Sequence, residues 1–329
     1  MKIFVSFDIV NQPAGGGNNF LRYLSHELQN QGILTKRIKE ADIVLVNSHH
    51  HVFRNLLFRV RYPKKLFIHR LDGKLSLHRA SNKWDNLVII QNKYVSDATI
   101  FQSNWSKQNW AIDIDPSLYS IIHNQANTKI FEYKVRKKPS ERLIIAYYSF
   151  SQNKNKGIEY LTWLNEHQNE LNIELRVIGF SPLSGRKNNS KKLSQQKIAN
   201  ELKFCDVFFF PSRHDACSNA VLEALAIGLP ILALDSGGNS EIVKNAGVIF
   251  QKTEDIPGAI DTLRKNYDYF CLNTKVLTNE KKSIEEYISF FYKVSNELKT
   301  KKINMKISAG IFLIFIQVIY LKLYLFKKG

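Results

Sequence analysis

Cysteine is scarce: Cys205, Cys217 and Cys271 are the only three in 329 residues, unevenly spaced and without a C-x-x-C pair. That excludes a disulfide framework and offers no zinc pattern, so a reducing compartment is the default. Acidic residues are also few, 29 Asp and Glu against 47 Lys and Arg, leaving a formal net charge of +18. Such a surface attracts anionic membranes, phosphates and nucleic acids without choosing among them. Paired-cysteine fingers and RNP strings are missing, however, so no nucleic-acid partner is expected. Neither a G-x-G-x-x-G nor a Walker loop occurs. Long apolar runs are missing too until the end of the chain. MKIFVSFDIV is too short for a secretory signal and leads into a glycine loop, so it reads as a first strand.

What is present is a globular composition. With 44% apolar residues a sizeable core can form, and the length suggests about two domains. The first half alternates strand and helix signals: KIFVSFDIV, a helix from about Asn18 to Asn30, ADIVLVN, KLFIHRLDG, DATIFQS and SLYSIIHN. The second repeats the logic in RLIIAYYS, a helix after Gly157, IELRVIGF, a helix ending near Cys205, DVFFF, another helix, PILALD and AGVIFQ. The expected class is α/β, built from two doubly wound Rossmann-like units. The polar, basic segment EYKVRKKPSER marks their boundary. This gives domains 1–133 and 134–280, followed by an amphipathic helix over 281–300 and a tail over 301–329.

The densest stretch is Pro211 to Val243, PSRHDACSNAVLEALAIGLPILALDSGGNSEIV. A strand ends at Pro211, a loop carries Asp215, a helix opens near Ser218 and closes at Gly228, and a second strand ends in Gly237-Gly238. Ser218 and Asn219 fall where unpaired backbone N–H groups and the helix dipole favour an anion. Glu223, in mid-helix, can accept from two neighbouring hydroxyls, as an acid on a ribose does.

Together Asp215, Glu223, Ala224, Gly228, Pro230, Gly237, Gly238 and Glu241 resemble the signature of glycosyltransferase family 4, retaining enzymes of the GT-B fold. The resemblance implies an acceptor-binding domain, 1–133, facing a nucleotide-sugar domain, 134–280, across a cleft. It also implies that Asp215 contacts the donor sugar and Glu223 the ribose. The first acid is Asp here, where Glu is commoner in the family. IIHNQANTKIF is similar to the family's interdomain string at His123, Asn124, Asn127 and Phe131, with Gln125 in place of a glycine. In SFSQNKNKGIEYL, Lys156 falls where members carry a Lys that grips the donor diphosphate. The Arg that usually accompanies it is absent, and Ser149, Ser151, Asn153 and Lys154 fill that loop. A fixed cation there stabilises a leaving diphosphate most in the transition state, so Lys156 is expected to be catalytic and Lys154 to help bind the donor. No cofactor or divalent metal beyond the nucleotide-diphosphate sugar is implied.

Gly15-Gly16-Gly17 follows the first strand and lets backbone amides approach a ligand. The resemblance places Gly16 and Gly17 near the donor phosphates, while the glycines by themselves read equally as a tight turn. FIHRLDG puts His69, Arg70 and Asp72 at a strand end, where open parallel sheets bind ligands. His69 is thus a catalytic candidate and Arg70 and Asp72 acceptor contacts. The same residues also read as a satisfied histidine followed by an Asp72-Gly73 turn. His49-His50-His51 lack the spacing of metal ligands.

The last 29 residues change character. Ile307 to Phe326 is an apolar stretch of 20 residues, 13 of them Ile, Leu, Phe or Val, and would be about 30 Å long as a helix. At about −0.3 to −0.6 kcal/mol each, these outweigh one terminal Lys that can snorkel. The expectation is a protein on the cytoplasmic face of a membrane, peripheral or anchored by 307–326, with a core helix as the alternative. A saccharide or lipid-linked acceptor then follows by association. The competing functions are a sugar-nucleotide epimerase on the same scaffold and a degenerate membrane-attached binding protein.

Overall fold

The computed structural model describes residues 1–12, 15–77, 81–110, 112–136, 139, 141–149, 153–179, 183, 193–280 and 282–300. The tail 301–329, with the candidate anchor 307–326, lies outside the described residues. Among the described residues, no helix is long and apolar enough to cross a membrane.

The first half runs β1 (Ile3–Ser6), α1 (Gly16–Asn30), β2 (Ile43–Asn47), α2 (Val52–Arg61), β3 (Leu66–Leu71), α3 (Lys83–Val95), β4 (Ala98–Phe101), α4 (Asn104–Trp110) and β5 (Tyr119–Ile121). These five strands form one parallel sheet in the order β1-β2-β3-β4-β5. A single parallel bridge from Ile3 to Leu34 occupies the free edge of β1. The chain therefore leaves β1 on one side through α1 and returns across it to β2. That reversal covers both faces of the sheet and explains why β2 and β3 are buried at every position.

The second half runs β6 (Leu143–Ser149), α5 (Ile158–Glu166), β7 (Ile173–Gly179), α6 (Gln195–Leu202), β8 (Val207–Phe210), α7 (Asn219–Ile227), β9 (Ile231–Leu234), α8 (Asn239–Val243), β10 (Gly247–Phe250), α9 (Ile256–Lys265) and α10 (Tyr267–Glu280). Its parallel sheet is ordered β10-β9-β8-β6-β7. The order reverses between β7 and β8, so a crevice opens beyond the carboxyl ends of β6 and β8. Two apolar layers flank this sheet, one centred on α7 and the other on α5 and α9.

A last helix, α11 (Ser283–Thr300), returns to the first sheet. Its Ile284, Tyr287, Phe291 and Val294 are buried with Phe20 and Leu21 of α1 and Ile43 and Ile68 of the strands. The amphipathic spacing of SIEEYISFFYKV is what lets one helix face close the first core from outside its own sequence neighbourhood.

Candidate active site

The crevice of the second sheet faces the glycine turn after β1, and between them lies a cleft of about 490 Å³. Gly16, Lys156, Asp215, Ser218, Asn219 and Glu223 all line it. Helix α7 starts where its sequence says it must. The Ser218 hydroxyl accepts from the backbone N–H of Val221 at 3.4 Å, and Gly228, at φ +92°, ends the helix in the left-handed region.

Asn219 ties the two walls together. Its side-chain amide donates to the carbonyl of Gly16 at 2.6 Å, and its Oδ1 accepts from Asn124 at 2.8 Å. A Cβ on Gly16 would stand 3.0 Å from the Asn219 amide nitrogen, so the close approach of this loop depends on glycine. The loop itself is pinned by Asn18, which exchanges two 2.9 Å hydrogen bonds with the backbone of Val10.

Lys156 Nζ lies 3.8 Å from Asp215 Oδ2. Both are partly exposed on the cleft wall, so the pair is a weak ion pair that an incoming anion and sugar hydroxyl can share. Gly157, at φ +66°, follows Lys156, and a Cβ there would overlap the Pro211 carbonyl. That contact fixes the lysine turn against the Asp215 loop.

Glu223 is 5% exposed. The Tyr148 hydroxyl donates to its Oε2, and Gln195 Nε2 donates to Oε1 at 3.0 Å. Burial pushes this carboxyl up to about 7, against the hydrogen bonds from Tyr148 and Gln195. Burial, with the negative field of Glu223, raises the Tyr148 phenol in turn.

Several candidates fall elsewhere. His69 does not reach the cleft: it is fully buried in β3, with Nε2 2.8 Å from the Ser48 carbonyl and Nδ1 3.2 Å from Asn92 Nδ2. Burial lowers its pKa to about 4, so it is a neutral structural ring. Arg70 is 1% exposed and faces the interior. It donates to Asn47 at 2.7 Å, Asn124 at 2.6 Å and the Tyr287 hydroxyl at 3.1 Å, with its guanidinium 4.9 Å from the Phe20 ring. It joins β3 to α11 and leaves no fork for an acceptor. Asp72 also lies outside the cleft lining; it accepts from Ser48 at 2.9 Å, and its carbonyl takes Ser106 and Trp110. Gly237 and Gly238 are absent from the lining as well, and a Cβ at either would overlap the carbonyl of Asp215 or Ala216. They shape the Asp215 loop by close packing. Gly15 joins Gly16 in the lining and Gly17 does not. Lys154 opens a short 3₁₀ turn, Lys154–Lys156, and its side chain lies outside the described residues.

Tyr148, Gln195 and Arg22 are among the cleft residues that the sequence does not single out. Tyr148 sits at the carboxyl end of β6, a position the sheet topology marks. Nothing in the sequence marks Gln195. Arg22, nearly two turns into the helix after the glycine loop, donates to Gln195 Oε1 at 2.9 Å. Glu241, read only as part of a motif, accepts from the backbone N–H groups of Asn104 and Trp105 at 2.8 and 2.7 Å. It caps α4 of the opposite half. Among the described residues, no group of three His, Cys, Asp or Glu is placed to hold a metal ion.

Two parallel, doubly wound sheets facing one cleft are the architecture of the GT-B fold. Residues 142–266 match the family of glycosyl transferases group 1. No curated protein matches the sequence. Among solved structures, sucrose-phosphate synthase from Thermosynechococcus elongatus superposes with a TM-score of 0.68 at 14% identity, covering 89% of this chain and 98% of that one. Anabaena HepE, in complex with UDP and glucose, gives 0.64 at 14% identity over 91% and 100%. The catalytic domain of starch synthase IV from Arabidopsis thaliana, bound to ADP and acarbose, gives 0.60 at 12% identity over 86% and 79%.

Proposed function

We propose that this chain moves a sugar from a nucleotide-diphosphate donor to a saccharide or glycolipid acceptor with retention of configuration. The observation that carries the reading is the wall formed by Lys156, Asp215, Ser218 and Glu223 along one cleft. Glu223 supplies the carboxylate for the ribose hydroxyls, with Tyr148 holding its Oε2. The start of α7 offers backbone N–H groups to the diphosphate, and Lys156 adds the fixed charge that favours its departure. Asp215, beside Lys156, is assigned to the hydroxyls of the transferred sugar. Oxygen of the departing phosphate accepts the acceptor's proton, so no separate protein base is required. The solved relatives that hold UDP with glucose, or ADP with acarbose, support a nucleotide and a saccharide as the two ligands.

The acceptor enters from the first half, and closure of the walls excludes water. The net charge of +18 and the apolar run 307–326 support work at an anionic membrane on the cytoplasmic side, where nucleotide sugars are supplied. The full chain is expected to sediment with anionic vesicles and to remain in the supernatant of neutral ones. For the reaction itself, a panel of sugar nucleotides is offered with saccharide and lipid-linked acceptors, and proton NMR reads the anomeric configuration of the product. Retained configuration is expected. An inverted product refutes the retaining assignment, and nucleotide release without transfer across all acceptors favours an epimerase or binding role.

A further inference from the structure

The loop before α5 lacks the arginine that accompanies Lys156 in the resemblance, and the described cleft shows where a second cation stands. Arg213 is not it. That guanidinium turns away to an ion pair with Glu159 and a 3.3 Å bond to the Tyr160 hydroxyl. Arg22 comes instead from the opposite wall, where it lines the same cleft as Lys156 and Glu223. Its three hydrogen bonds all go to neutral oxygens: the Asn11 carbonyl at 3.0 Å, Asn19 Oδ1 at 3.4 Å and Gln195 Oε1 at 2.9 Å. Among the described residues no carboxylate pairs with it. A guanidinium has five N–H donors and cannot lose its charge, so Arg22 keeps both a full charge and spare donors beside the cleft.

Gln195 connects this cation to the ribose acid. One end of its amide accepts from Arg22, and the other donates to Glu223 Oε1 at 3.0 Å. Tyr148 already holds Oε2. A ribose diol that bonds Glu223 must therefore displace Gln195, because Tyr148 is buried in β6 whereas Gln195 is the first residue of a surface helix. When Gln195 leaves, Arg22 loses its one side-chain partner across the cleft and its Nη2 is released toward the ligand.

Resting on the donor reading above, we propose that Arg22 is a donor-binding residue that meets the phosphates of a nucleoside diphosphate from the first-sheet wall. Donor arrival thus exchanges a neutral interdomain link, Arg22 to Gln195 to Glu223, for two contacts to the nucleotide. The helix that carries Arg22 begins at Gly16, so the same contact draws the glycine turn over the diphosphate. Charge-assisted bonds of this kind are stronger than the amide bond they replace.

Binding to the full-length protein tests this, with UDP and ADP followed by calorimetry and uridine and adenosine by ligand-observed NMR. Arg22→Ala is expected to weaken the preferred diphosphate about 10- to 100-fold and its nucleoside less than about threefold. Arg22→Lys restores part of the loss, and Gln195→Ala leaves diphosphate affinity unchanged or tighter. Equal losses for nucleoside and diphosphate in both Arg22→Ala and Gln195→Ala would make the link a strut and overturn the proposal. Unchanged diphosphate binding by Arg22→Ala overturns it while leaving the transferase reading intact. If the wild-type protein binds neither diphosphate, both fall. A thermal melt of each variant separates lost binding from lost folding.

Discussion

Glu223 shows how one residue can be legible in kind and illegible in state. Its place in mid-helix after Ser218 marked it as a ribose acid, yet nothing local announced that Tyr148 and Gln195 hold its two oxygens. The raised pKa, about 7, has a consequence for stability. The folded state holds this proton more tightly than the unfolded chain does, so stability is greatest at acid pH. It falls as pH rises from the ordinary carboxylate range through about 7, by up to about 3 kcal/mol. Glu223→Gln is expected to flatten that slope between pH 5 and 7 in urea titrations; an unchanged slope assigns it to other groups. Ribose hydroxyls donate to the ionised form, so nucleotide affinity of the wild type should rise across the same interval. His69 is the converse case. The rule that ligands gather at strand ends selected it, but burial on both faces of β3 makes it a neutral core ring.

At the scale of elements, start and stop chemistry was readable because it is local. Ser218 and Gly228 bracket α7, and Pro230 delivers the chain into β9. The bridge at Leu34 was not readable, since one residue pair carries no periodic signal, and that bridge is what makes the first half doubly wound. Gly237-Gly238 are legible as a motif, and the structure adds their packing role. A side chain at either would overlap the Asp215 loop. Gly237→Ala combines a φ of +65° with overlap of the Asp215 carbonyl. It is expected to cost about 1–3 kcal/mol of stability and to lower kcat more than it raises the donor KM, because Asp215 moves while Glu223 does not. Steady-state kinetics beside chemical denaturation measure both. An unaltered kcat would show that the loop geometry is unimportant to the reaction.

The whole molecule is held by long-range ties that no sequence window contains. Arg70 and Tyr287 are 217 positions apart and share a buried hydrogen bond of 3.1 Å. Asn124 accepts from Arg70 and donates to Gln102 and Asn219, joining the first sheet to the start of α7. Arg70→Ala leaves Asn47, Asn124 and Tyr287 without their donor and is expected to cost about 3–5 kcal/mol in urea unfolding. Because α11 closes the first core from far along the chain, no sequence window around the β3 strand end shows that Arg70 is buried. Glu241 caps α4 from the other half. Glu241→Gln keeps its shape but removes the charge, and it should loosen the closed arrangement, seen as a larger radius of gyration in solution scattering without loss of secondary structure.

The central claim is that the wall from Lys156 to Glu223 binds a nucleotide sugar and transfers its sugar. Titration of the full-length protein with UDP and ADP, run beside the same titration and the transfer assay on Glu223→Ala, tests it most directly. Saturable binding of one diphosphate by the wild type, with both binding and transfer lost in the variant, is the expected result. Failure of the wild type to bind either nucleotide, or undiminished transfer by Glu223→Ala, would contradict the account.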